Sequence, residues 1–558
     1  MIPPETDRPT PERPLHVHQV LGGGPFAEIG KPKVAVRDEA RGLVALGGSV
    51  GRLSWGGRSV PDWAGHRVGV YGLGDLRCHH VVRSDWPVLD LALHPHLPLL
   101  AVGTGSYDGG YFYEGELLLV DLEHGTTVSA LADRREVRRV GWSTDGRALE
   151  LVVAPPDEEA DKAPDTHGSA AVVRHDDWRG LPPRSISFRR LKGPRVRAPR
   201  RAGGAKRAAR DMVAALAAAH GTSWAPRRQV WAVEALDDGR VLAALEGVKL
   251  ECRLPSGEPQ WSVADPDGAR ELHVAADQES AWVNVPRPAR WAPGIGWADL
   301  PGDVERLSLA DGSTLGSVGA VFPAALTAAL DGRLALRDTR DDRPDAATVV
   351  LDQEGRRSPG PALGAYDCYS THFAVRRSPE LLFLQGRRKK YWKDKWVVAV
   401  DPPAAAGGEP TVRRLFPLAW DAVRSGHLST GPAVRLTGDG DTAGALIHTG
   451  TIHHPHGRRP DDVFVARRRF PDGLVQWVFT ADAPVTAVDT DGETVFAALT
   501  SGEVVALDAA DGGVRRRTRL TVGGAPTVAL SLTAPAPGRL VIGTVDGRVL
   551  LCRVPPVR

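Results

Sequence analysis

The sequence predicts an all-β repeat protein. Runs of about five to eight residues alternate apolar and polar side chains, and Asp-Gly or Ser-Gly pairs separate them. Residues 485–513, VTAVDTDGETVFAALTSGEVVALDAADGG, give the clearest example. A period of two is typical of β-strands, and glycine-containing pairs favour tight hairpins between antiparallel strands. This stretch therefore predicts a meander of antiparallel strands.

The same pattern recurs along most of the chain. Leu540 and Gly547 follow Val495 and Gly502 by 45 residues, which is the length of one four-stranded unit. Far upstream, EGELLLVDLEHGTTV at 114–128 matches SGEVVALDAADGGV at 501–514. With weaker copies between them, we count about ten blade-sized units.

Stacked four-stranded units predict a β-propeller, because a single unit cannot bury both of its faces. Ten units exceed the four to eight blades typical of one ring. Two packed propellers are the favoured arrangement, and one large ring or half-blade units are the alternatives. We divide the chain into an N-terminal segment (1–30), a first group of blades (31–360) with a basic and helical insertion (184–224), and a second group (361–558).

The last unit has three strands, at about 527–533, 539–545 and 548–554. An early strand, LHVHQVL at 15–21, has no hairpin partner. We therefore predict that this N-terminal strand pairs with residues 548–554 and closes the ring.

Several short motifs carry a family resemblance. ALHPHLPLLAVGT (92–104), WSTDG (142–146) and GEVVALDAADGG (502–513) resemble the WD-repeat and PQQ-type repeat superfamily. Trp420-Asp421 precedes Gly426-His427 instead of following it, so the hydrogen-bond tetrad of that family is not carried over. The resemblance implies degenerate blades that dock other proteins. Large propellers of this kind occur in bacterial conflict-related systems with a MoxR-type ATPase and a von Willebrand A-type partner.

Composition limits the class of protein. The net charge of +2 gives no global reason to expect nucleic acid or a membrane as partner. Four widely spaced cysteines suit a reducing compartment, and neither a signal peptide nor an apolar run of about 18 residues is present. We expect a cytoplasmic protein, and abundant Ala, Arg, Gly and Pro suggest a bacterial source.

Two basic segments are candidate partner-binding sites. Residues 184–210 carry eleven Lys or Arg and no Asp or Glu, and 208–221 predicts a short helix. An acidic loop at 155–168 could pair with this arm. Residues 386–398 place aromatic side chains among cations, as interaction surfaces do. The candidates are Arg195, Arg197, Arg200, Arg201, Lys206 and Arg207 in the arm, and Arg387, Arg388, Lys389, Lys390, Tyr391, Trp392 and Lys393 in the hairpin.

The sequence gives little support for metal binding or catalysis. His453, His454 and His456 are weak metal-ligand candidates, because adjacent strand residues point to opposite faces and a polar hairpin tip explains them as well. No nucleophile, phosphate-loop or dinucleotide motif is present, so no catalytic residue and no cofactor is predicted. The leading hypothesis is a non-catalytic interaction scaffold. The alternatives are a hydrolase, lyase or ligand binder with a funnel site, and a nucleic-acid binder using residues 184–210.

Overall fold

The fold was analysed in a computed structural model. It describes residues 15–52, 64–187, 193–200, 203–287, 290–292, 296–298, 300–320, 322, 324–339, 348–352, 354–363, 373–386, 394–402, 409–420, 426–438, 444–454, 459 and 461–555. Within these ranges the chain forms 46 β-strands, a short 3-10 helix (Ala27–Ile29) and one α-helix. In the described part of the chain, no helix has the length and apolarity needed to cross a membrane.

The first strand and the first three sheets cover the N-terminal part of the chain. Strand β1 spans His16–Leu21. Sheet 1 contains β2 (Lys31–Asp38), β3 (Leu43–Arg52), β4 (Ala64–Gly72) and β5 (Cys78–Ser84). Sheet 2 contains β6 (Val88–Leu93), β7 (Leu99–Thr104), β10 (Leu117–Asp121) and β11 (Thr127–Ser129), with a ribbon of β8 (Ser106–Tyr107) and β9 (Tyr113–Glu114) between β7 and β10. Sheet 3 contains β12 (Val137–Trp142), β13 (Ala148–Val153), β14 (His167–Arg174) and β15 (Arg195–Arg197), and helix α1 (Gly203–Ala219) follows.

Three more sheets of four strands come next. Sheet 4 contains β16 (Val230–Ala235), β17 (Val241–Leu245), β18 (Val248–Arg253) and β19 (Pro259–Ala264). Sheet 5 contains β20 (Glu271–Val274), β21 (Ser280–Val285), β24 (Asp303–Ser308) and β25 (Thr314–Gly319), with a ribbon of β22 (Arg290–Ala292) and β23 (Gly296–Ala298). Sheet 6 contains β26 (Ala324–Ala328), β27 (Leu334–Asp338), β28 (Thr348–Leu351) and β29 (Arg357–Pro359).

Four sheets complete the chain. Sheet 7 contains β31 (Leu381–Gln385), β32 (Trp396–Asp401) and β33 (Thr411–Pro417). Sheet 8 contains β34 (His427–Leu436), β35 (Ala445–His453), β36 (Val463–Arg469) and β37 (Val475–Thr480), with β30 (Val375–Arg376) added in parallel to β34. Sheet 9 contains β38 (Val485–Thr490), β39 (Thr494–Leu499), β40 (Glu503–Asp508) and β41 (Val514–Arg519), and a ribbon of β42 (Thr521–Val522) and β43 (Ala525–Pro526) follows. Sheet 10 contains β44 (Ala529–Ala536), β45 (Arg539–Thr544), β46 (Val549–Arg553) and β1.

The all-β class and the repeated four-stranded antiparallel units are confirmed. Local turn chemistry accounts for the hairpins, as between β38 and β39, where Asp491 Oδ1 accepts the backbone N–H of Thr494 at 2.8 Å. Gly502 follows β39 at φ 89°, a conformation that disfavours side chains with a Cβ. The predicted pairing of the N-terminal strand is also present, because β1 runs antiparallel to β46 with His16 opposite Arg553 and Leu21 opposite Val549.

Buried apolar clusters join sheets 4–10, the seven-sheet group, in succession. Six of them link sheet 4 to 5, 5 to 6, 6 to 7, 7 to 8, 8 to 9 and 9 to 10. A seventh links sheet 10 back to sheet 4, where Leu21 and Val549 pack with Val230 and Val241. The succession therefore returns to the sheet at which it began. It crosses residue 360 between sheets 6 and 7, and the predicted division there stays a prediction.

Sheets 1–3, the three-sheet group, form a shorter succession. Two clusters link sheet 1 to 2 and sheet 2 to 3. Helix α1 covers sheet 1, because Val213 and Leu216 pack with Val44, Leu46 and Tyr71. The helix begins five residues before the predicted 208 and ends two before the predicted 221. The sequence thus located the helix and missed its first turn, where Gly203 and Gly204 obscured the start.

A buried ionic network joins the two groups. Asp546 of sheet 10 accepts hydrogen bonds from Arg548 at 2.7 Å and Thr527 at 2.7 Å, and Arg67 of sheet 1 lies 3.5 Å away. Arg548 also reaches Glu28, at 3.1 Å. These charges lie away from water, so each depends on its partners for solvation. The network therefore fixes sheet 1 against sheet 10.

Candidate functional site

A cavity of about 1030 Å³ lies among the inner strands of the seven-sheet group. The first strands of neighbouring sheets contact one another, as β16 contacts β44 and β38 contacts β44. Their side chains therefore converge on one space. Polar side chains on its wall come from five sheets and from β30 with the residue after it. They include Trp231 and Glu234, Glu271 and His273, Thr327, Arg376 and Arg377, Thr486, and Ser531 and Thr533.

Two arginines and two carboxylates form an ionic network at the wall. Arg376 pairs with Glu234 at 2.5 Å, and Arg377 binds Asp489 through two nitrogens, each at 3.0 Å. Asp489 is fully buried and also accepts the Thr533 hydroxyl at 3.1 Å and the Ala534 N–H at 3.0 Å. Bidentate pairing and full hydrogen bonding offset the cost of burying this charge. The network ties sheets 4, 8, 9 and 10 together around the cavity.

The backbone at Arg377 is strained. Its φ is 56°, in the left-handed region that costs a residue with a Cβ about 1 kcal/mol. The bidentate bond to Asp489 and a third bond from Arg377 to the Ala534 carbonyl at 2.7 Å hold the residue there. Strain that surrounding contacts maintain is concentrated at functional sites. The position is therefore a marker of the cavity as a candidate site.

Burial shifts the titration of the groups on the cavity wall. Burial, followed by the positive charge of Arg376, lowers the pKa of His273 to about 4, so this imidazole is neutral at pH 7. Burial also raises the pKa of Glu234, while Arg376 opposes the shift and Asp489 adds to it. Burial lowers the pKa of Arg270 to about 10. Displaced pKa values in a concave site are typical of binding and catalytic sites.

The wall also carries aromatic and aliphatic side chains. The Arg270 guanidinium lies 4.8 Å from the ring centroid of Trp231, a cation–π arrangement. Leu236, Leu272, Val274 and Leu530 also line the space. Ligand pockets usually combine apolar surface with a few convergent polar groups, and this wall contains both.

The basic arm predicted from the sequence is partly folded into sheet 3. Arg195 binds Asp161 of the acidic loop through two bonds of 2.7 and 2.9 Å, and Arg200 binds Glu136 at 3.0 Å. Arg197 is exposed on β15. Lys206 and Arg207 are exposed on α1, with Arg207 3.8 Å from Asp211. The pairing of arm and acidic loop that the sequence left open is therefore present at Arg195.

The other predicted interaction residues have no described surroundings. Arg201 lies outside the described residues, and so does the aromatic hairpin with Arg387, Arg388, Lys389, Lys390, Tyr391, Trp392 and Lys393. Their role as partner-binding residues stays a prediction.

The weak metal candidates are not assembled as a ligand set among the described residues. His454 Nε2 lies 3.0 Å from Asp462 Oδ1, and both side chains are buried. His453 ends β35, and His456 lies outside the described residues. A histidine bound to one buried carboxylate fits a structural hydrogen bond.

One group in the described residues has metal-ligand geometry: Asp121, Glu123 and His124. Arg179 already pairs with Asp121 at 2.6 Å and with Glu123 at 2.7 Å. Burial alone would raise the pKa of Asp121, but hydrogen bonds from Arg179 and the backbone lower it to about 2. The arginine occupies the place of a cation, so this group is a turn stabilised by an ion pair.

Comparison with known proteins gives no relative: neither a protein-family model nor a curated protein matches the chain.

The residues of the cavity were missed by the sequence reasoning. Arg377 and Asp489 are 112 residues apart, and neither stands in a recognised motif. Asp489 opens DTDGE, a pattern that turn chemistry explains by itself. Two consecutive arginines before Ser378 and Pro379 offered one signal, a charged pair at the start of a strand unit.

Proposed function

We propose that sheets 4–10 form a seven-bladed β-propeller and that its axial cavity is a ligand-binding site. The succession of seven apolar clusters supports the ring, since the last cluster joins sheet 10 to sheet 4. Sheets 1–3 then form an additional lobe attached to the ring. Ligand binding is the second of the three functions considered for the sequence, and the cavity now favours it.

The observation that carries this proposal is the wall of the 1030 Å³ cavity. It combines apolar area with converging charges, displaced pKa values and a strained arginine. Glu234 on the wall and the buried Asp489 of the same ionic network are held by arginines and hydroxyl groups. Their oxygens are already engaged by these partners, which favours binding over catalysis.

A cavity-blocking variant tests the proposal. Ala536 lies on the cavity wall, and Ala536→Trp would occupy part of the space. Ala40 is exposed in the turn between β2 and β3, so Ala40→Trp adds the same side chain elsewhere. We expect a screen of small metabolites by thermal shift to find compounds that raise the Tm of the wild type and of Ala40→Trp, and not of Ala536→Trp. Equal stabilisation of Ala536→Trp, or no stabilising compound, would contradict the proposal.

A second candidate function is the protein-interaction scaffold predicted from the sequence. It is favoured by the β8–β9 ribbon, where Phe112 is 50% exposed and packs edge-on against Tyr111, with ring centroids 4.9 Å apart. Exposed aromatic side chains on a rigid support are typical of interface anchors. Nucleic-acid binding has less support, because Arg195 and Arg200 already pair with acidic residues of the chain.

The scaffold is tested by affinity capture from the native host. Phe112→Ser should abolish the recovery of a stoichiometric protein partner. Leu474→Ser is the control. It removes another exposed apolar side chain, which is 57% exposed and lies just before β37 of sheet 8, and it should leave recovery unchanged. Recovery that Phe112→Ser leaves intact would exclude this ribbon as the docking surface. A MoxR-type ATPase or a von Willebrand A-type protein among the partners would place the chain in the bacterial setting suggested by its resemblance.

A further inference from the structure

One edge of the cavity carries two arginines and a histidine of sheet 10. His16 on β1 is opposite Arg553 on β46, and Arg553 is opposite Arg539 on β45. Arg539, Arg553 and His18 all line the cavity. The register of three adjacent strands therefore aligns these side chains at its mouth.

No described acidic side chain pairs with Arg539 or Arg553. The other arginines of the cavity differ from them, because Arg376 and Arg377 are already bound to Glu234 and Asp489. Like charges directly opposite one another on neighbouring strands destabilise a sheet. Both guanidinium groups are exposed, and a bound anion would relieve the repulsion between them.

Other groups at this mouth indicate the same sign of potential. Burial lowers the pKa of His18, and Arg553, His16 and Arg539 lower it further. Among the acidic residues on the wall, Glu234 is paired with Arg376, and Glu271 accepts hydrogen bonds from Asn284 at 2.6 Å and the Leu326 N–H at 2.7 Å. Asp237 also lines the cavity, on sheet 4, and forms no ion pair with Arg539 or Arg553. On sheet 10 the edge of the cavity therefore carries two arginines that no described carboxylate neutralises.

We infer that the axial cavity binds a small organic anion with at least two carboxylate or phosphate groups, and that Arg539 and Arg553 hold those groups at the mouth. This inference rests on the proposed ligand site and names the class of its ligand. Arginine forms paired hydrogen bonds to both carboxylates and phosphates, so either chemistry fits the two guanidinium groups. The apolar wall around Trp231 would accommodate the carbon skeleton.

Calorimetric titration of the full-length protein tests this at low and moderate salt, with citrate as the polycarboxylate and tripolyphosphate as the polyphosphate. We expect at least one of them to bind and its affinity to fall as salt rises. The double variant Arg539→Gln/Arg553→Gln should weaken binding roughly tenfold or more, which corresponds to about 1.4 kcal/mol. A preference for citrate or for tripolyphosphate decides between the two chemistries.

The matched control is Arg147→Gln/Arg174→Gln, which removes the same charge from two exposed positions of sheet 3. Arg147 precedes β13 and Arg174 ends the neighbouring strand β14. Its affinity for either anion should equal that of the wild type. The Tm of the unliganded Arg539→Gln/Arg553→Gln variant should be equal to or above that of the wild type, because the opposed charges are gone. A lower Tm would contradict the unfavourable arrangement assigned to the mouth.

The remaining outcomes separate this inference from the proposed function. Ala536→Trp could abolish binding while Arg539→Gln/Arg553→Gln leaves it unchanged. That result would overturn the role of the two arginines and leave the cavity as the proposed ligand site. Failure of both anions to bind, together with a neutral compound whose thermal shift Ala536→Trp abolishes, would overturn the anionic class and keep the cavity. Absence of any compound that depends on the cavity would overturn both.

Discussion

The seven-sheet group and the three-sheet group use the same four-stranded unit and bury their faces in different ways. In the seven-sheet group, every sheet packs between two others, and the last returns to the first through Leu21, Val230 and Val549. In the three-sheet group, sheets 1 and 3 each have one neighbouring sheet in the succession. Helix α1 covers sheet 1 with Val213 and Leu216, and Val50 of sheet 1 packs with Leu530 of sheet 10.

The same four-stranded unit therefore occurs both in a succession of sheets that closes and in one that stays open, so the unit itself does not determine how the ends of the succession are covered. A closed succession needs no cap, whereas an open one needs a different element at its end. The cavity follows the same division, because its wall comes from sheets of the seven-sheet group. Four experiments can break or sharpen this contrast.

The largest effect is expected from deleting residues 15–21. The deletion removes β1 from sheet 10 and Leu21, which is 2% exposed, from the cluster that joins sheets 10 and 4. We expect the free energy of unfolding of the seven-sheet group to fall by more than about 3 kcal/mol, the usual cost of losing one large buried side chain together with its neighbours. Hydrogen exchange should accelerate in β16 and β46 and stay unchanged in sheets 2 and 3. Equal acceleration in all ten sheets would mean that the two groups unfold as one unit.

The next effect concerns the contact between the groups. Asp546→Asn removes the negative charge that Arg67 and Arg548 share, and both guanidinium groups are 3% exposed. Leaving buried cations with too little counter-charge should cost about 3 kcal/mol in urea unfolding. Asp508→Asn is the control, because its pair with Arg515 is more exposed and should contribute under about 1 kcal/mol. Similar losses in the two variants would show that the network does not hold sheet 1 against sheet 10.

A smaller and more local effect should follow from Leu216→Ala in α1. The side chain is 6% exposed and packs on sheet 1, so its loss should destabilise that packing by about 2–3 kcal/mol. Hydrogen exchange should increase in α1 and β3 alone. Leu474→Ala, at a site 57% exposed, should change little. Increased exchange in the seven-sheet group would contradict the view that α1 is the cap of the open group.

Much of the fold could be predicted from the sequence. Alternation and glycine turns identified the strands, and the missing fourth strand of the last unit identified β1 as the partner of β46. The division into three and seven sheets could not be predicted in this way. Val, Ala and Leu fill every cluster, so the pattern reports that a face is buried and not which sheet covers it.

The candidate site was less accessible to sequence reasoning. Composition drew attention to the basic arm, yet β15 and the Arg195–Asp161 pair place part of that arm in an ordinary sheet. The residues of the cavity are spread from His18 to Arg553, and they meet because the repeat brings strands of different sheets together. Such a site has no local motif, since its spacing is set by the repeat and not by neighbouring residues.

The smallest predicted effect compares a buried histidine from each group. Burial, followed by the charge of Lys33, lowers the pKa of His66 in sheet 1 to about 3, and His273 in sheet 5 titrates at about 4. Below pH 6.5 the unfolded chain binds protons at these sites while the folded protein does not, so stability falls as the pH falls toward 4. Between pH 7.5 and 5, each histidine should account for about 2 kcal/mol of this loss.

His66→Gln should remove this ~2 kcal/mol from the pH dependence of unfolding of the three-sheet group. His273→Gln should remove the same amount from the pH dependence of unfolding of the seven-sheet group. If both variants flatten the profile of a single transition, the two groups share one cooperative unfolding unit despite their different closures.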